Sequence, residues 1–224
     1  MTLRLTGTLS SLFCALGFIA LASGHSSAQY SQPSFAKLYE SGWENDRLRV
    51  RTVSIEPGAR LEERGDVDRV LVFLTADLDG RMPQADAIWQ SAGGPPLENH
   101  GRLRVDAIMI DVKSGPAQGV GMTSPEALPS TSGIESRLLI DNAHVMVSRL
   151  RYAANAYAVD PWHFHPQDAL VVYLSGGYTW LPYGDSGLPA RVHRGDIDVV
   201  PANTFHSLRN AGSDPLDFLM IMPK

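Results

Sequence analysis

The sequence predicts an all-β protein made of two small antiparallel barrels or jelly rolls in tandem. Three observations predict it. Short apolar runs are broken by Gly and Pro turns, and no amphipathic helix of about 10 residues or more stands out. One order of parts occurs twice along the chain. A stretch rich in Gly, Pro, Ser and Thr separates the two copies.

The first residues stand outside that pattern. Arg4 precedes an apolar run from Leu12 to Ala22, and Ser26-Ser27-Ala28 supplies the small-x-small pattern of a signal-peptidase site. The run is about 11 residues long, whereas a membrane-spanning helix needs about 20. Residues 1–28 are therefore expected to be a cleaved secretory signal, and the protein to be periplasmic or secreted without stable membrane insertion. Phe13 is too large for a lipobox before Cys14, which argues against a lipid anchor. Because Cys14 is the single cysteine, the exported chain would have neither a disulfide nor a thiol nucleophile. Without the signal's Arg4, 18 Lys and Arg face 24 Asp and Glu, a balance of about −6 with no basic run. Nucleic acid is thereby excluded as an expected partner.

The first copy occupies residues 29–112. It contains "RLRVRTVSI" (Arg47 to Ile55), "RVLVFLTADLDG" (Arg69 to Gly80), "ADAIWQSAGGPPLENHG" (Ala85 to Gly101) and "VDAIMIDV" (Val105 to Val112). Residues 113–137 read as a linker or long crossover. The second copy, 138–224, repeats the order with "HVMVSRLRY" (His144 to Tyr152), "ALVVYLSGGYTW" (Ala169 to Trp180), "GDIDVVPANTFHSLRNAG" (Gly195 to Gly212) and "LDFLMIM" (Leu216 to Met222). Alternating apolar residues in "RLRVRTVSI" and "HVMVSRLRY", and the short apolar runs between turn residues that follow them, read as strands.

Between the first two strands of the second copy lies "DPWHFHPQD" (Asp160 to Asp168). A strand sends alternate side chains to opposite faces, so His163 and His165 are expected on one face and Trp162 and Phe164 on the other. His206 follows a Pro201-to-Phe205 turn and can reach the same point through antiparallel pairing. Three neutral imidazoles with open positions beside them suit a divalent first-row metal. An exposed His-x-His with His206 packed elsewhere is the alternative that these residues leave open.

The second half resembles the cupins, whose motifs are G-x5-H-x-H-x3,4-E-x6-G and G-x5-P-x-G-x2-H-x3-N. His163, His165 and Gly176 fit the first; Gly195, Pro201, His206 and Asn210 fit the second at the required separations. The resemblance is specific from about Ile140 to Lys224 and covers Tyr39 to Val112 in outline. It implies two tandem cupin-type jelly-roll barrels, with a metal held by His163, His165 and His206.

The departures from the motifs carry meaning. Tyr157 stands where the first glycine would be, and Asn203 replaces a second-motif glycine; Asn tolerates a left-handed backbone best among the other residues. Ala169, or Leu170 on the longer spacing, stands in place of the glutamate ligand. Asp168 is adjacent, yet alternation points it away from the metal unless the backbone bulges. The resemblance thus implies three histidines, as in cupin-type thiol, diketone and gentisate dioxygenases. A site without a carboxylate keeps the ion's full charge, which favours a small anionic ligand such as a carboxylate, enolate or phenolate.

In the first half, Glu62, Glu63, Arg64 and Gly65 fall near the His-x-His position, and Pro95 or Pro96 falls on the second-motif histidine. This half is expected to be structural, with Glu62, Glu63 and Asp66 as an acidic mouth and His100 exposed. His193 reads either as a proton shuttle or as an exposed strand-end residue. Trp162, Tyr173, Trp180 and Tyr183 read as core, rim or pocket wall, and "GDSG" (Gly184 to Gly187) as a chance match to a serine-protease sequence.

The leading expectation is an exported protein with one mononuclear site, acting as a dioxygenase on a small anion. Iron is the expected ion; manganese, nickel, zinc and copper are alternatives. The same site would also serve Lewis-acid isomerisation, decarboxylation or elimination, or a non-catalytic periplasmic binding module. A homodimer is compatible with an exposed sheet edge.

Overall fold

The computed structural model describes residues 43–61, 67–80, 87–113, 133–154, 160–180 and 189–224. The signal segment, Glu62, Glu63 and Asp66, Tyr157, Tyr183 and the Gly184-to-Gly187 sequence lie outside the described residues, as does most of the linker. The described residues contain strands and turns and no helix.

In the first half, β1 (Trp43–Glu44), β2 (Leu48–Ile55), β3 (Asp68–Phe73), β4 (Ala87–Gln90) and β5 (Val105–Val112) form one sheet in the order β1-β2-β5-β3-β4. The second half starts with β6 (Ile134–Asp141), which takes in the end of the stretch read as linker. With β7 (Val145–Tyr152), β8 (Ala169–Tyr173), β11 (Ile197–Val200) and β13 (Leu216–Pro223) it builds a second sheet, ordered β6-β7-β13-β8-β11. The two orders superimpose position for position, and every pairing is antiparallel. The repeat read from the sequence is therefore a repeat of topology.

The second half also has a three-stranded sheet, β10-β9-β12, from β9 (Gly177–Trp180), β10 (Ala190–Val192) and β12 (Arg209–Asn210). Its hairpin needs chain, and the two halves differ there: the second half runs from Tyr173 to Ile197 between β8 and β11, the first only from Phe73 to Ala87 between β3 and β4. Across the outer sheet Arg209 lays its guanidinium over the Trp180 ring, 3.7 Å from the centroid.

The period of two along each strand divides the apolar residues into separate cores. Val145, Val147, Leu170, Val172, Leu219 and Ile221 pack with Leu48, Val50, Val70, Val72, Ile108 and Ile110 of the first half, so the two large sheets lie face to face. The intervening residues Met146, Leu150, Tyr152, Val171, Tyr173, Phe218 and Met220 point the other way, against Val192 and Leu208. This explains why "ALVVY" is apolar at every position and wholly buried. The corresponding core of the first half is smaller, consisting of Ile55, Leu71, Phe73, Val105 and Ala107. Each fully buried aliphatic side chain contributes about 1.5–3 kcal/mol, so most of the apolar stabilisation lies between the sheets and inside the second half.

Two asparagines close the halves in the same manner. Asn99 donates its amide to the carbonyls of Ile55 and Leu103 and accepts from Gly101 N–H. Asn210 donates to Tyr152, Ala153 and Asp214 and accepts from Gly212 N–H. Both are fully buried, so each satisfies turn carbonyls that water cannot reach.

Candidate metal centre

His163 and His206 are held opposite each other by two main-chain hydrogen bonds, His163 N–H to His206 O at 2.9 Å and His206 N–H to His163 O at 2.8 Å. Asp160 N–H to Leu208 O and Asn203 N–H to His165 O extend this ladder on either side. The sequence suggested a regular strand through the two histidines. Instead a single bridge is found, flanked by irregular backbone. Pro161 and Pro166, which lack an N–H, keep the segment from a continuous ladder.

The turn that returns the chain to His206 depends on Asn203, the single described non-glycine residue with positive φ, at 57°. Asn therefore does occupy the left-handed position where the motif has glycine. Gly195 keeps its glycine for the same reason, with φ of 89°, and an added Cβ would also meet a Leu74 methyl at 3.0 Å.

These constraints bring the three imidazoles together. One ring nitrogen from each of His163, His165 and His206 lies within 4.8 Å of the others. The Nε2 atoms of His163 and His165 are 3.2 Å apart. Two ligands of one ion with bonds of about 2.1 Å stand about 3.0–3.4 Å apart at right or tetrahedral angles, so this spacing fits shared coordination. The opposite nitrogens are engaged: His163 Nδ1 contacts Pro161 O at 2.7 Å and His206 Nδ1 contacts Thr204 O at 2.8 Å. Donation from Nδ1–H to a carbonyl fixes the tautomer and leaves the Nε2 lone pair free.

The electrostatics keep those lone pairs available. Burial, followed by the nearby His163 and His206, pushes His165 down to about 3. Burial also lowers His206, although its bond to Thr204 O works in the opposite direction. Neutral imidazole is the form that binds metal.

Three further groups surround the cluster. Asp160 is buried, with Oδ2 3.4 Å from His163 Nδ1. Burial raises its carboxyl to about 6, against the opposing effects of His163 and of the bond from the Tyr152 hydroxyl. Trp162 and Phe205 stack at 5.3 Å, both exposed, and Phe164 is exposed as well.

Asp168 does not join the cluster. Its Oδ1 accepts from Ala202 N–H at 2.8 Å and its Oδ2 from Asn45 Nδ2 at 2.7 Å, so both oxygens are occupied elsewhere. Ala169 and Leu170 are fully buried, Leu170 in the layer between the sheets. His193 is exposed and faces Asp196 at 3.3 Å, apart from the three histidines. His100 is exposed beside Glu98. Tyr173 is fully buried and Trp180 lies under Arg209. In the first half, Leu61 N–H bonds Leu97 O as Asp160 N–H bonds Leu208 O, and Pro95 occupies the place of His206.

The comparisons with known proteins agree with this geometry. Residues 151–222 match the family described as Cupin domain. This segment is cupin-like in sequence as well as shape. The chain resembles a cupin 2 conserved barrel domain protein from Leptotrichia buccalis at 18% identity and a TM-score of 0.52, with 81% of this chain and 86% of that one covered. It also resembles a variant of oxalate decarboxylase from Bacillus subtilis at 13% identity and a TM-score of 0.57, over 79% of this chain and 68% of that one. These likenesses extend beyond the matched cupin segment and establish the fold. No curated protein matches the chain.

Sequence reasoning did not single out Asp160 or Tyr152. The signal was present: an Asp three residues before a histidine of a His-x-His pair, with a tyrosine ending the preceding strand.

Proposed function

We propose that the chain is an exported two-cupin protein with one divalent metal, held by His163, His165 and His206, which acts on a small anionic organic ligand. The observation that carries this reading is the convergence of three imidazole nitrogens with two of the opposite nitrogens bonded to main-chain carbonyls. Three neutral donors leave the ion's charge uncancelled within its coordination sphere, and an anion is the complement of that charge. An iron(II) ion there would offer open positions to a chelating anion and to dioxygen, placing both reactants in contact. His163 and His206 keep the site open by being pinned from behind, since neither ring can turn without breaking a hydrogen bond. The first half serves as a structural partner whose sheet covers the outer face of the second.

The test is elemental analysis of the mature protein purified from a periplasm, followed by oxygen uptake with a panel of carboxylates, diketones and phenolics. Bound iron with uptake on one of them supports the dioxygenase. Zinc or nickel without uptake assigns the site to Lewis-acid chemistry or to binding. Mass spectrometry of the exported protein tests the leader: a chain beginning near Gln29 is expected, and an intact Met1 or a lipid on Cys14 would refute export by this signal.

A further inference from the structure

The site lacks the glutamate that the cupin motif places beside its histidines, yet a carboxylate is present one step away. Asp160 is held at both its main-chain polar atoms, its N–H donating to Leu208 O at 2.9 Å and its carbonyl accepting from Ser207 Oγ at 2.7 Å. Its side chain is 8% exposed and its Oδ2 stands 3.4 Å from His163 Nδ1. Tyr152, a residue 2% exposed, interacts with the same carboxyl through its hydroxyl. Oδ1 is buried and has no partner among the described residues.

As a structural element this arrangement is a poor one. A buried carboxylate with an oxygen that has no partner among the described residues costs free energy that a hydrophobic residue would avoid and a neutral asparagine would lessen. The backbone bonds that place Asp160 would survive either replacement. What only the carboxylate supplies is a negative charge behind the imidazole, on the Nδ1 side, while Nε2 faces the other two histidines.

We propose that Asp160 supplies, from outside the coordination sphere and through the His163 ring, the negative charge that the missing fourth ligand would have carried, with Tyr152 as the residue that orients it. Asp160 is thus a positioning and charge-balancing residue and not a ligand. His163 Nδ1 already faces Pro161 O at 2.7 Å, so the carboxylate acts mainly by its field, making the imidazole a stronger donor to the ion. The inference rests on the metal-site reading above. It modifies one consequence of that reading: the ion's charge is offset in part from behind, and the open positions stay free for an incoming ligand.

The experiment uses Co2+ as the probe, with the metal-free full-length mature protein, wild type against Asp160→Asn and Tyr152→Phe. Competition with a chelator measures the affinity for Co2+, and titration with azide of the loaded proteins measures anion binding by the change in cobalt absorption. Asp160→Asn is expected to lower the Co2+ affinity about 10–100-fold and to strengthen azide binding, because the ion then carries more uncompensated charge. Tyr152→Phe is expected to change both in the same directions by less. Opposite signs for the two ligands are the signature of charge, since mere loosening of the site would weaken both. Unchanged Co2+ affinity in Asp160→Asn, or a parallel loss of Co2+ and azide, overturns the proposal. Failure of the underlying reading looks different: wild type and His206→Ala would then bind Co2+ equally poorly.

Discussion

Asn45 Nδ2 donates to Asp168 Oδ2 across 2.7 Å, joining the turn between β1 and β2 of the first half to the histidine loop of the second. The other oxygen of Asp168 holds Ala202 N–H at 2.8 Å, next to the Asn203 turn, whose N–H in turn bonds His165 O. The acid nearest to the vacant glutamate position is therefore a clamp. Replacing Asp168 by Ala leaves a half-buried N–H and a half-buried amide without their acceptor and should cost about 1 kcal/mol. Thermal unfolding should show the loss while elemental analysis still finds metal. A complete loss of metal with unchanged stability would instead mark Asp168 as a ligand.

The three histidines differ from His193 in kind. His206 is 3% exposed and converges with the others, whereas His193 lies in solvent beside Asp196. His206→Ala should remove most of the bound metal, and His193→Ala should leave it nearly unaltered. Equal effects at both positions would show that the third ligand has been misassigned.

The asymmetry of the halves gives a stoichiometry. Pro95 takes the place of His206 in the first half and has no side-chain donor, so one equivalent of transition metal per chain is expected. Elemental analysis showing two, or one retained after His163→Ala and His165→Ala together, would contradict it.

Asp198 provides a pH prediction away from the histidines. It accepts from the buried Tyr173 hydroxyl at 2.7 Å. Burial raises its carboxyl, the Tyr173 bond works against this, and the charge of Asp196 adds to the rise. A carboxyl whose folded value exceeds its unfolded one stabilises the fold when protonated. That contribution is full below the unfolded value of about 3.9 and is lost as pH rises through the folded value. Asp198→Asn, which still accepts from Tyr173, should thus raise the melting temperature at pH 7 relative to wild type and lose that advantage near pH 4. An advantage that grows on acidification would reverse the assignment.

Much of the strand framework was readable in advance because burial on alternate faces imprints a period of two. Leu48–Ile55 carries it over most of its length, whereas Val105–Val112 and Val145–Tyr152, covered on both faces, are apolar and buried nearly throughout. The repeat was readable for the same reason, since equal strands in equal order generate equal patterns. The spacing of His163, His165 and His206 is likewise a property of one short loop and one turn, which the chain specifies locally.

The remainder required the folded chain. The sequence determined two repeated β-units, a histidine triplet in the second alone, and no donor at Pro95 in the first. It could not determine that Asp168 faces Asn45, 123 positions away, or that Asp160 stands between His163 and a tyrosine from the preceding strand. Hydrogen-bond partners of buried side chains depend on which surfaces meet, and here that is decided by the packing of one five-stranded sheet on another and by the narrow ladder between residues 160–165 and 203–208. Local pattern specifies which face a side chain takes; only tertiary contact specifies what it finds there.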